Sequence, residues 1–344
     1  MKILVLSVRA PLVHGGAEEL RDHLVRHLNL QPGVEAESMS IPFSWDPWTR
    51  LPDEMLIARN LRLGAIDRVI PIKFPAYLVE HKGRTPWLAH QYRQAYDMWD
   101  SGYSNIPDTP DGRRVRDLIR AADHDALSGL PRLFAISEAA RRLRRYCGIE
   151  AETLSAPLND PWLFTGGEAN GAILASGRVG GLKRQSLLIR ALRFAPGVRL
   201  TIAGPPDEPG TALALARLAE AEGVADRLRL DLRFLPRAEL AALVNETTAV
   251  AYVPFDEDSV GYVTMEAFQA GKPVVTTTDP GGVLDLVRDG STGWVAPPHP
   301  EPLGAALAAA IADPGRARRR GAAAHVALEA LGLTWPRTIE RLLA

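Results

Sequence analysis

The chain has 344 residues, 46% hydrophobic and 24% charged, a composition that excludes disorder and small disulfide scaffolds and leaves room for two domains of ordinary size. Its 40 basic and 41 acidic residues give a net charge of -1, so no global charge draws it to nucleic acid or to an anionic membrane. The single cysteine, Cys147, excludes an internal disulfide and a cysteine-rich zinc cluster, and is read as a core residue.

Short β-branched or leucine-rich runs alternate with longer stretches of helical apolar spacing, and the alternation occurs twice, as in parallel βαβ units. In the first half Lys2–Ser7 reads as a buried strand, Gly15-Gly16 as a turn, and Ala17 to Leu28 as a helix with Leu20, Leu24 and Leu28 on one stripe. Further strands are predicted at Arg68–Ile72, Thr85–Ala89 and Leu133–Ile136. Segments 40–66 and 91–130 carry Trp45, Trp48, Tyr92, Tyr96, Trp99 and Tyr103 among Pro, Asp and Gly. Their periodicity is weak, and they read as elaborations at the mouth of a site. Flat apolar side chains there suit an acceptor surface, and equally a core.

Pro157, Pro161, Gly166 and Gly167 break regular structure between Ala156 and Asn170, which places a domain junction there. A second series then runs through strands at Gly171–Ser176, Arg199–Ala203, Leu228–Leu232, Ala249–Val253 and Pro273–Thr277, with helices around 184–194, 213–222, 237–245 and 264–270. The fold class expected is α/β, with two facing Rossmann-like doubly wound parallel sheets and a ligand cleft between them. The domains are 1–156, 157–325 and a last helix in 326–344. The opening run Ile3–Leu6 is too short for a signal peptide, and Leu303–Ala312 falls far short of the roughly 20 residues that span a bilayer. A cytoplasmic protein is expected. The arginines of Arg113–Arg120 and Arg141–Arg145 read as solvated helix faces rather than a membrane patch.

Chemistry concentrates in Asp256-Glu257-Asp258-Ser259-Val260-Gly261-Tyr262-Val263-Thr264-Met265-Glu266-Ala267, followed by Gly271-Lys272-Pro273 and a strand. A strand ends at Pro254, an acidic loop turns at Gly261, and a helix begins whose first N–H groups can hold an anion. Glu266, one turn inside, can accept hydrogen bonds from the vicinal hydroxyls of a ribose. A second segment, Ser176-Gly177-Arg178-Val179-Gly180-Gly181-Leu182-Lys183-Arg184-Gln185, sets the cations Arg178 and Lys183, with Arg184 as a bystander, at the end of a strand. Lysine is scarce, with only Lys2, Lys73, Lys82, Lys183 and Lys272, so Lys183 at such a place is informative.

These segments resemble the retaining glycosyltransferases of family 4. The family's hallmark is two acidic residues in a Glu-x7-Glu frame, and counting back from Glu266 the first position is Asp258, an aspartate in place of glutamate. Glu257 is the other candidate for that place, through a loop one residue longer. The resemblance implies a GT-B fold and sugar transfer from a nucleoside diphosphate with retention. It implies Arg178 and Lys183 as diphosphate clamps, Gly261, Tyr262, Val263 and Glu266 as donor-binding residues, and Gly204, Leu235 and Arg237 as a base pocket. Gly15 and Gly16 match the family's glycine-rich loop, and His90, directly after the strand that ends at Ala89, its sugar-contacting histidine. Gly281-Gly282 and Asp289-Gly290-Ser291-Thr292-Gly293 also match, and are read as structural turns. Trp335–Leu343 resembles the family's last helix, which crosses back to the first domain.

The expected partners are a nucleotide-sugar donor, UDP-sugar first with dTDP, GDP or ADP as the other nucleotides, and a small-molecule or glycan acceptor. No cofactor, metal, nucleic acid or membrane contact is expected. An inverting reaction would need a base, for which His14 and Asp97 are the candidates. Asp256-Glu257-Asp258 and Asp123-His124-Asp125 both spell the metal-binding Asp-x-Asp of the other large glycosyltransferase fold. A sugar-nucleotide epimerase, a phosphorylase and a non-catalytic nucleotide-sugar-binding relative are the rival readings on the same fold.

Overall fold

The computed structural model describes residues 1–9 and 15–344, which divide into two units: Met1–Pro157 with Leu333–Ala344, and Leu158–Gly332. In the first unit β1 (Lys2–Arg9) carries the apolar run Ile3–Leu6 because it lies at the centre of a parallel sheet and is covered on both faces. Its alternate side chains serve two cores. Ile3 and Val5 pack with Leu20, Leu24 and Leu28 of α1 (Gly16–Leu28), while Leu4 and Leu6 face the opposite side. Strand β2 (Glu35–Pro42) follows, then helix α2 (Leu51–Asn60) and β3 (Arg68–Pro71). The order β2-β1-β3 is parallel, with Ile3 opposite both Ala36 and Arg68.

The remaining strands of this unit are short: β4 (Trp87–Leu88), then β5 (Phe134–Ala135) and β6 (Glu152–Thr153), separated by helices α3 (Asp97–Asp100), α4 (Pro110–Leu127) and α5 (Ser137–Cys147). They form a second parallel ladder, β4-β5-β6, tied to β3 by Thr85 N–H to Val69 O at 2.9 Å and Ala89 N–H to Ile72 O at 2.8 Å. Helix α4, in a segment of weak apolar periodicity, starts where the Thr109 hydroxyl accepts the Gly112 N–H at 3.2 Å.

The second unit carries one six-stranded parallel sheet. In chain order its elements are β7 (Ala172–Ser176), α6 (Gln185–Leu192), β8 (Arg199–Ala203), α7 (Thr211–Ala221), β9 (Leu228–Asp231), α8 (Arg237–Glu246) and β10 (Ala249–Ala251). Then come α9 (Tyr262–Gln269), β11 (Val274–Thr277), β12 (Gly293–Ala296), α10 (Pro300–Ala312) and α11 (Pro314–Glu329). Strand order is β12-β11-β10-β7-β8-β9. Helix α6 packs on α7 and α10, and α9 on α8 and α11, so the sheet is covered on both faces, as right-handed crossovers on either side of a starting strand require.

Helix α12 (Trp335–Leu343) belongs to the first unit, where Trp335, Ile339 and Leu342 join the α1 core and the Trp335 ring stacks on His27 at 4.8 Å. No helix among the described residues is long and apolar enough to cross a membrane.

Candidate functional site

In the second unit the chain leaves β7 for β8 and β9 on one side, then returns to β10 and continues to β11 and β12 on the other. Open α/β sheets bind ligands beyond the carboxyl ends of their strands at such a reversal. The two loops flanking it are Gly177–Arg184, after β7, and Tyr252–Gly261, after β10. They are the two segments that carry the cations and the acids.

The first loop is held on both sides. Val179 N–H donates to Pro205 O at 2.9 Å and Asp207 N–H to Val179 O at 2.9 Å, which ties it to the end of β8. Gly204 sits in that junction, where a Cβ would lie 2.1 Å from the Gly177 carbonyl oxygen, so the close approach of the two strand ends requires glycine. On the other side Phe255 N–H donates to Leu182 O at 2.8 Å. Arg184 then locks the turn. Its guanidinium donates to Val253 O, Pro254 O, Thr277 Oγ1 and both oxygens of Asp279, at 2.6 to 2.9 Å. Burial favours the neutral acid at Asp279, but the Arg184 hydrogen bonds and charge prevail and hold its pKa below the ordinary carboxylate value. Arg184 is therefore the fastening of the loop, a role that its sequence neighbourhood did not reveal.

Two cations remain on this loop. Arg178 is more exposed, with Nη1 3.2 Å from Asp207 Oδ1. Lys183 is half-buried; its ammonium pairs with Glu257 and donates to the Tyr252 hydroxyl at 3.2 Å, which in turn donates to Glu257 Oε2 at 2.9 Å. Burial and the carboxylates of Glu257 and Asp258 push the Tyr252 phenol well above its ordinary pKa, so it stays a neutral donor. Gly261, at φ +75, turns the chain into α9 against Tyr252, whose ring would meet a Cβ there at 2.7 Å. The backbone of Glu257 is fixed as well: Glu257 N–H donates to Pro280 O at 2.9 Å and Gly282 N–H to Glu257 O at 3.0 Å. The Gly281-Gly282 turn is thus part of the frame of this loop. Asp258 is half-buried beside it.

Glu266 lies inside α9 and is only 3% exposed, paired with Arg237, the first residue of α8. Leu235 is buried, and Phe234 is 62% exposed. Tyr262 and Val263 form the first turn of α9, with Val263 Cγ2 3.4 Å from the Cβ position of Gly177. The structure therefore joins Lys183 to Glu257 and Arg237 to Glu266, two pairings that spacing alone did not show.

A second group of polar residues lies at the carboxyl end of the first unit's sheet. Gly15 caps α1, and its N–H donates to Glu18 Oε2 at 2.9 Å, while Lys73, just past β3, donates to Glu18 Oε1 at 2.7 Å. Burial raises the pKa of Glu18, but the charge and hydrogen bonds of Lys73 outweigh it and the net shift is downward. The backbone of Lys73 pairs with that of His90 in an isolated parallel β-bridge, and the His90 ring has Nδ1 2.7 Å from the Gln91 carbonyl, so a neutral ring carries its proton on Nδ1. Gly15, Glu18 and Lys73 form one polar cluster, and the His90 backbone is strand-paired to Lys73; sequence reading did not single out Glu18 or Lys73. His14 lies outside the described residues.

Other expectations sort clearly. Asp97 is buried, held by Arg93 at 2.6 Å and 2.9 Å and 3.6 Å from Arg142, a doubly paired carboxylate ill-suited to act as a base. Asp123 and Asp125 do not act as an Asp-x-Asp pair. Asp123 is completely buried and accepts from the hydroxyls of Tyr77 and Tyr96 at 2.8 Å each, while Asp125 is exposed and pairs with Arg59. Residues two apart on a helix diverge. Tyr92 and Tyr96 are core residues, whereas Trp45 and Tyr103 are exposed. Arg113, Arg114, Arg116, Arg141 and Arg144 each face an acidic partner.

Residues 167–326 match the family model described as glycosyl transferases group 1. Over 179 residues, 49% of this chain, the sequence is 38% identical to the D-inositol 3-phosphate glycosyltransferase of Mycolicibacterium paratuberculosis, and over 178 residues 35% identical to that of Mycobacterium marinum. The matches cover 38% and 36% of those relatives, so the chain spans well under half the length of the curated relatives it matches. Among solved structures, Anabaena HepE in complex with UDP and glucose superposes with a TM-score of 0.72 at 18% identity, covering 100% of this chain and 98% of that one. Sucrose-phosphate synthase from Thermosynechococcus elongatus gives 0.77 at 17% identity, covering 99% and 97%. The fold is GT-B. In GT-B terms the family-model match takes in the whole β7–β12 sheet, with both loops at its strand reversal.

Proposed function

We propose that this protein is a glycosyltransferase that moves a sugar from a nucleoside-diphosphate sugar, with UDP-sugar as the first donor class, to the hydroxyl of a small-molecule or glycan acceptor. One observation carries the reading. The cation loop after β7 and the acidic loop after β10 meet at the strand reversal, and the first turn of α9 follows directly, with a buried carboxylate one turn further in. The match of 167–326 to group 1 glycosyl transferases supports it, as does the UDP complex of HepE.

In this reading Arg178 and Lys183 stabilise the charge that grows on the leaving diphosphate, taking the place a metal holds in other transferases, and the first-turn amides of α9 add to it. Glu266 accepts from the ribose hydroxyls. Asp258 takes the place of the first acid of the frame, counted back from Glu266, on the hydroxyls of the donor sugar, while Glu257 pairs with Lys183. His90, Gly15 and Gly16 keep the sugar-contacting roles that the family resemblance gives them. The C1–O bond to the phosphate breaks as the acceptor oxygen bonds C1 on the same face, and the leaving phosphate takes the acceptor proton, so configuration is retained without a protein base. The names of the curated relatives make small phosphorylated polyols the first acceptors to assay.

The test is release of UDP from UDP-glucose and related donors by the full chain, with and without acceptor, compared with the K183A variant. Acceptor-stimulated release that K183A loses supports the reading; no release with any nucleotide sugar across an acceptor panel contradicts it.

A further inference from the structure

A carboxylate as deeply buried as Glu266 needs its charge met inside the protein. Arg237 does so from a fixed position. Its Nη1 donates to Glu266 Oε1, its Nη2 donates to the Asn159 carbonyl at 2.8 Å, and its guanidinium carbon lies 4.7 Å from the centre of the Phe164 ring. Asn159 is itself buried, and Phe164 is almost fully so. Three contacts, one from α9 and two from the stretch 159–164, thus define the plane of the guanidinium independently of any ligand. A planar fork with several donors can satisfy them together, whereas a lysine, as a point charge, cannot hold the same geometry.

We propose that Arg237 is a positioning residue that, by fixing the Glu266 carboxylate, makes the donor site select ribose over 2′-deoxyribose. The inference rests on the ribose role given to Glu266 above. A carboxylate held in one orientation pairs with two vicinal hydroxyls. A 2′-deoxynucleotide offers one, and leaves part of a buried acceptor without a partner. The substrate class is therefore ribonucleoside-diphosphate sugars, with thymidine-type donors disfavoured. Arg237 acts through Glu266 and not on the base.

The experiment is calorimetric binding of UDP and 2′-deoxy-UDP to the full chain, as wild type, E266Q and R237K. Wild type is expected to bind UDP about tenfold more tightly than 2′-deoxy-UDP, and E266Q to lose most of that ratio. R237K keeps a positive charge opposite Glu266, and is expected to lose the ratio while binding 2′-deoxy-UDP within about twofold of wild type. If wild type shows no preference, the ribose role of Glu266 fails and the proposal with it. If wild type and E266Q behave as expected but R237K keeps the ratio, or weakens both nucleotides equally, the positioning role is overturned and the ribose role stands. Should R237K not fold, R237Q is added to E266Q. With Glu266 already neutral no further loss of the ratio is expected, and an additional loss overturns the proposal.

Discussion

The Lys183 ammonium is paired with Glu257 across the loops that leave β7 and β10, and the Tyr252 hydroxyl joins both groups, 3.2 Å from Nζ and 2.9 Å from the carboxylate. Lysine has three donors, so this arrangement aims the ammonium without using it up. Lys183→Ala is expected to lower turnover by about 10²–10³, the loss typical of one preorganised transition-state donor. Steady-state kinetics with matched thermal stability checks this; an unchanged kcat removes Lys183 from the mechanism.

Glu266→Ala removes the carboxylate and leaves the Arg237 guanidinium without its partner. Binding of UDP is expected to weaken by about tenfold or more. Calorimetry gives the answer directly, and wild-type affinity in the variant contradicts the ribose assignment.

His90 is held by its contact with the Gln91 carbonyl, at the end of the first unit's sheet beside Lys73. His90→Ala is expected to reduce transfer by about tenfold or more while UDP binds within about twofold of wild type. A variant that loses nucleotide affinity and keeps its turnover speaks against a sugar-facing role.

Asp123 offers a test of the first unit's core. Burial raises its pKa to about 7, against the opposing hydrogen bonds of Tyr77, Tyr96 and Gln91. Between about pH 4, where the unfolded carboxyl ionises, and about pH 7, the native state holds a proton that the unfolded chain has lost, so stability falls as pH rises across that window. Denaturant unfolding of wild type is expected to show this decline, and Asp123→Asn to remove it. An identical slope in the variant means that another group carries it.

Much of the sheet architecture is legible in the sequence because parallel strands buried on both faces read as short apolar runs; β8 is found from Arg199 to Ala203 as expected. Helix α4 is legible only through the solvated face of Arg113–Arg120, since its buried stripe includes the polar Asp123 beside Ile119, Ala122 and Ala126. Strand β12 hides behind the glycine-rich turn at 289–293, and β6 is two exposed residues that carry no apolar signal. In the candidate site the residue types are legible and the pairings are not. Whether Glu257 or Asp258 meets Lys183 depends on how loops 70 or more residues apart in sequence are held, which hydrogen bonds such as those of Arg184 determine, and the meeting of Arg237 with Glu266 joins residues 29 apart on two different helices.

The most direct test of the account is a thermal-shift screen of UDP, dTDP, GDP and ADP and their common sugars, with and without EDTA, since a ligand that binds only the folded state raises the melting temperature. The account predicts a shift with UDP or its sugars that survives EDTA and is lost in Lys183→Ala. No shift with any nucleotide, or a shift that requires a divalent metal, contradicts it.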